Sequence, residues 1–100
     1  MKMDKTAKET LGARLSAVMT LSGMNRTKVG ALCGVKPNVV STWTNGQNWA
    51  PWEHMSTICE ATGITLDWFY RGVSPGMDMA VMARLNALTN SNLLEARQSA

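Results

Sequence analysis

One hundred residues, 45% of them apolar, suffice for one globular domain with a modest core and are too few for two. A net charge of +3 is too mild for a binder that holds nucleic acid by charge alone, and no run approaches the roughly 18 apolar residues of a membrane span. The opening MKMDKTAKET carries charge but no apolar stretch, so it is not read as a secretory signal, and Cys33 and Cys59 are expected as reduced core thiols of a cytoplasmic protein.

Thr6 and Glu9 have the spacing of a capping box and predict a helix over residues 7–22, with Leu11, Leu15, Val18, Met19 and Ser22 inward and Gly23 at its end. Asn25 stands where it can accept from the free amides of a second helix, 26–33, on which Val29, Leu32 and Cys33 form an apolar stripe. Gly34 stops that helix, because a residue without Cβ adopts the left-handed cap at no steric cost. Lys36 precedes a proline and is pushed into extended backbone, while Pro37 suits the first turn of a third helix, 37–45. Gly30 allows close approach where the second and third helices cross. On the third helix, Val40 and Trp43 face one side, and Asn38, Ser41, Thr42 and Asn45 recur at i, i+3, i+4 and i+7 on another.

Residues 45–48 form a turn-rich loop, and Trp49 is expected to pack on the core edge. Pro51 opens a fourth helix, 51–62, with Trp52, Met55, Ile58, Cys59 and Thr62 inside and Gly63 closing it. Thr65 caps a fifth, 66–71, which buries Leu66 and Phe69 and ends at Gly72. Ser74-Pro75-Gly76 starts a sixth at 75–88, broken by Asn90-Ser91-Asn92. Its stripe of Met77, Val81, Leu85 and Leu88 has two destinations, a contact with a second copy of the chain or packing back on the same domain. The class read from this pattern is all-α: five helices over residues 1–72 and a C-terminal helical extension, 73–100, assigned to dimerisation.

A hydrogen-bonding stripe on a helix anchored from behind is what base reading in the major groove of double-stranded DNA requires. Between Glu9 and Glu53 there is no acidic residue, yet Arg14, Arg26, Lys28 and Lys36 lie there, which suits approach to phosphates. Asn38 matches the N6/N7 edge of adenine, and Ser41 and Thr42 suit base edges or a phosphate. Lys28, Lys36, Asn45, Gln47 and Asn48 are candidates for the DNA backbone, as is Arg26 at the positive end of the second helix. Lys2, Lys5 and Lys8 are either an arm onto DNA or a frayed terminus.

The run from Arg26 to Asn45 resembles the helix-turn-helix of the lambda-repressor-like, Cro-type (xenobiotic-response-element) family in its small Gly30, turn Gly34, Val35, apolar Val40, and Trp43 followed by Thr44-Asn45-Gly46. Leu11-Gly12-Ala13-Arg14-Leu15 resembles that family's first helix, and Gly63-Ile64-Thr65-Leu66-Asp67-Trp68-Phe69 the end of its five-helix domain. The resemblance covers residues 6–72 and implies a sequence-specific repressor of phage or bacterial origin, binding a palindromic operator as a homodimer. It also implies that Pro37 faces the groove and that Arg26 meets a phosphate. Departures are Lys36 where the family has a Ser or Thr cap, and short side chains where it often carries Gln or Arg.

Chemistry of another kind finds little here. His54 is the only histidine, no ligand pair has metal-binding spacing, and no Gly-rich phosphate loop is present, so neither enzyme, metal nor cofactor is expected. The rival reading is a protein-interaction module, such as the antitoxin of a toxin–antitoxin pair, using the C-terminal stripe and Trp49.

Overall fold

The computed structural model describes residues 5–99, with side chains for residues 7–95. Among them every regular element is helical: α1 (Lys5–Ser22), α2 (Arg26–Cys33), α3 (Pro37–Thr44), α4 (Trp52–Thr62), α5 (Leu66–Arg71) and α6 (Met79–Ser99). None is long and apolar enough to cross a membrane.

Local chemistry sets the ends of the short helices. The Asn25 side chain accepts from the Lys28 amide at 2.9 Å, and the Thr65 hydroxyl from the Trp68 amide at 3.2 Å. Gly34, at φ 72°, closes α2, and both its amide and that of Val35 donate to the Gly30 carbonyl. Lys36 is extended at φ −75°, ψ 151°, as a residue before proline should be. Residues 1–4 lie outside the described residues. The capping box called at Thr6 falls inside α1, which already runs from Lys5, and the Thr6 side chain is not among those described.

One buried cluster joins Leu11, Leu15 and Val18 of α1, Val29 of α2, Val40 and Trp43 of α3, Met55 and Ile58 of α4, Trp68 and Phe69 of α5, and Leu85 of α6. The Trp68 indole N–H is buried without an acceptor among the described residues, a cost of about 1–3 kcal/mol that the apolar packing around it must offset. Four inward assignments fail. Leu32 is 42% exposed, since α2 turns Val29 and Cys33 inward and Leu32 stands about 100° of helix away from Cys33. Trp52 is 67% exposed, because the buried stripe of α4 begins one turn later, at Met55. Leu66 is exposed because α5 buries Trp68 and Phe69 instead, and Ser22 is exposed at the end of α1.

The largest correction concerns α6. It starts at Met79, not residue 75, because the Asp78 carboxylate accepts from the Ala80 and Val81 amides at 2.8 and 3.1 Å. It then runs through Asn90-Ser91-Asn92 unbroken. There the Thr89 hydroxyl donates to the Leu85 carbonyl, and the Asn92 amide donates across to the Ala13 carbonyl of α1 at 3.2 Å. Leu85 is fully buried, and Met77, Val81 and Leu88 pack half-buried against the same core. These four side chains, assigned to a dimer contact, serve the chain's own core: the apolar stripe lies along α1, which buries more area than facing water would. Residues 73–95 therefore share one core with the five helices before them.

Candidate nucleic-acid interface

The pair α2–α3 is held from two sides. A Cβ at Gly30 would stand 2.6 Å from the Val35 carbonyl oxygen, so the turn lies directly on α2, as the small residue there allows. A Cβ at Gly12 would stand 2.5 Å from the Trp43 carbonyl oxygen, so the end of α3 rests on the backbone of α1. Trp43 is buried beneath α3, with its ring stacked on His54 at 5.5 Å between centroids. The opposite side of α3 faces solvent, and its first two residues, Pro37 and Asn38, are exposed together with their cap, Lys36.

The polar stripe comes together as expected, but most of its hydrogen-bonding groups are committed. The Ser41 hydroxyl accepts from Arg26 Nη1 at 2.5 Å, which fastens the first residue of α2 to the middle of α3. The Thr42 hydroxyl donates to the Val39 carbonyl at 2.6 Å and is half-exposed. Asn45, at the end of α3, accepts from the Gln47 amide at 3.0 Å and donates to the Gln47 side chain at 3.3 Å. The Thr42 carbonyl takes the Gln47 and Asn48 amides, which curls residues 45–48 back over the end of α3. Asn38 alone in the stripe has no hydrogen-bond partner among the described residues, so its amide remains open to an adenine edge.

The cations divide. Arg26, Lys28 and Lys36 are exposed along α2 and the turn. Arg14 is not part of that set: its guanidinium is half-buried, donates to the Phe69 carbonyl at 3.0 Å, and lies against Gly72, so it binds the C-terminal end of α5. Burial lowers its pKa from the ordinary arginine value. Lys8, expected either in an arm onto DNA or in a frayed terminus, lies on α1 and lines a shallow cleft with Asn45, Gly46 and Gln47. Only the packing of α1 on the loop reveals this, because Lys8 and Asn45 are far apart in sequence. Nor is the surface free of carboxylates. Glu9 packs against Gly46, and Glu9 and Glu95 line one groove with Thr44 and Asn45. The basic face is therefore bounded on the α1–α6 side.

Beside Arg26, a polar cleft of about 420 Å³ is lined by Asn25, Ser41 and Thr44 of the α2–α3 unit, Ser16 and Thr20 of α1, and Asn92 of α6. Arg26 supplies its charge, and its hydrogen bond to Ser41 leaves further N–H groups for an anion. Trp49 is half-buried against the core. Both cysteines are free and half-buried; burial pushes their thiols above the ordinary range and keeps them protonated. Among the described residues no group of His, Cys, Asp or Glu side chains is placed to hold a metal.

What these elements define is a small all-helical domain presenting a short helix, anchored from behind, beside a basic turn. Comparison with protein-family models, with curated proteins and with solved structures produced no match, so the reading of this face rests on the chain's own residues.

Proposed function

We propose that the chain is a sequence-specific DNA-binding regulator of the lambda-repressor-like kind, with α3 in the major groove of double-stranded DNA and α2 across the backbone. The observation that carries the reading is the exposed, uncommitted Asn38 amide in the first turn of a helix whose opposite side is fixed by buried Val40 and Trp43. Pro37 then meets the groove by shape, Thr42 offers its methyl group, and Arg26 reaches a phosphate while steadied by Ser41. Lys8, Lys28, Lys36, Gln47 and Asn48 complete the backbone contacts. Repression follows from occupying an operator, and two copies read a palindrome about one helical turn apart.

Selection of bound DNA from a random pool tests the reading directly, and a palindromic consensus is the expected result. On that consensus, Asn38→Ala should weaken specific binding by about 1–3 kcal/mol and leave non-specific binding nearly unchanged. Arg26→Ala should weaken binding to every sequence and lower the slope of affinity against salt by about one. Anisotropy titrations at several salt concentrations separate the two effects. A pool that yields no consensus would sink the base-reading assignment. The protein-interaction alternative drew on Met77, Val81, Leu85, Leu88 and Trp49, all of which are engaged in the domain's own core, and it gains nothing from them.

A further inference from the structure

Between α1, Trp49 and α5 lies a cleft of about 340 Å³, lined by Leu11 and Arg14 of α1, by Trp49, and by Phe69 and Tyr70 of α5. Leu11 and Phe69 are buried beneath it, Trp49 is half-buried, and Tyr70 is exposed at its edge. Walls that are mainly apolar with one convergent polar group are the usual make-up of a small-molecule site, and this volume suits one ring and a short polar arm. None of these residues has a part in the proposed contact with DNA.

Arg14 is the only charged residue lining the cleft. Its guanidinium has five N–H donors and uses one on the Phe69 carbonyl, at 3.0 Å. No carboxylate pairs with it among the described residues. The carbonyl end of α5 offers it a partial negative charge and no full one. A Cβ at Gly72 would stand 2.8 Å from Arg14 Nη2, so the glycine keeps room for the group at the end of α5. A half-buried cation beside apolar walls favours a ligand that brings its own negative charge. The planar fork of arginine matches a carboxylate through two parallel hydrogen bonds, and three aromatic side chains suit a flat apolar body.

We propose that this cleft binds a small aromatic carboxylate, with the acid group on Arg14 and the ring against Trp49, Phe69 and Tyr70. Trp49 directly follows the loop 45–48 that curls over the end of α3, so the occupant bears on a loop assigned to the DNA backbone. That consequence rests on the DNA reading; binding of the acid does not.

The test is titration of the full chain, without DNA, with phenylacetate, followed in amide and side-chain ¹H–¹⁵N NMR spectra. Saturable binding with Kd at or below about 1 mM is expected, with the Trp49 indole N–H and Arg14 Nε–H signals among those that move. Phenylacetamide, which keeps the ring and lacks the charge, should bind about tenfold more weakly or worse, and acetate, which lacks the ring, should not move the Trp49 signal. Arg14→Gln should lose the preference for the acid over the amide. If that variant fails to fold, the three ligands on the wild type still decide the matter. No saturation by about 10 mM phenylacetate overturns the proposal, as does an amide that binds as well as the acid. Shifts centred on Arg26 and Ser41 would place the acid in the polar cleft beside α2 and overturn it too. Binding by a chain that selects no DNA consensus would leave this site standing and remove only the DNA reading; a consensus without binding would do the reverse.

Discussion

Gly12→Ala is expected to destabilise the domain by about 2 kcal/mol, although alanine favours helix over glycine by about 1 kcal/mol. The added Cβ would lie 2.5 Å from the Trp43 carbonyl oxygen, 2.7 Å from that of Thr44 and 2.9 Å from the Thr44 carbonyl carbon. All three atoms are backbone, so no side chain can swing aside, and α1 must part from the last turn of α3. Core overpacking of this kind costs about 1–3 kcal/mol and sometimes more, enough to outweigh the gain in propensity. Denaturant unfolding measures it: the midpoint should fall with the slope unchanged. A variant as stable as the wild type, or more so, would mean that helix propensity decides this position and that the crossing is looser than described. The same shift has a second readout. Trp43 and Thr44 lead into residues 45–48, so under the proposed function DNA affinity should fall beyond what the lost stability explains.

That contact also shows which parts of the molecule were open to reading from sequence. Caps were legible, because Asn25, Gly34, Gly63, Thr65 and Gly72 act on atoms within a few residues of themselves. The borders of α2 to α5 followed from them to within one residue. Which apolar residue lies inward was less legible. In helices of two or three turns, Leu32 and Cys33, or Trp52 and Met55, fit the same period almost equally well, and only the neighbouring helices choose between them. Asn90-Ser91-Asn92 reads locally as a breaker, yet Asn92 reaching the Ala13 carbonyl 79 positions back helps keep that segment helical. In the candidate site, the positions of Asn38, Ser41 and Thr42 on one helix were foreseeable from spacing. The commitment of Ser41 to Arg26 was not, because it depends on how α2 crosses α3. Lys8 and Glu9 escaped notice beside the 45–48 loop for the same reason.

Leu85→Ala should cost about 2–5 kcal/mol and do so at any protein concentration. Leu85 is fully buried in the cluster that contains Leu11, Leu15 and Val18 of α1, so truncating it leaves a cavity within one chain. The surroundings are poorly placed to collapse into that space. Just beyond Leu85, the Thr89 hydroxyl ties down its carbonyl and Asn92 ties α6 to α1, which holds the helix at its present distance. The concentration dependence separates this account from the dimer role that spacing alone allowed. A side chain at a two-fold contact stabilises by mass action, so its removal would lower the melting temperature most in concentrated samples, where the dimer is populated. A side chain in the core of one protomer lowers it equally at every concentration. Thermal melts of Leu85→Ala and wild type across a hundredfold range should therefore run parallel. If the Leu85→Ala deficit vanished on dilution, α6 would belong to the interface, and the five-helix domain would have to close its core without it.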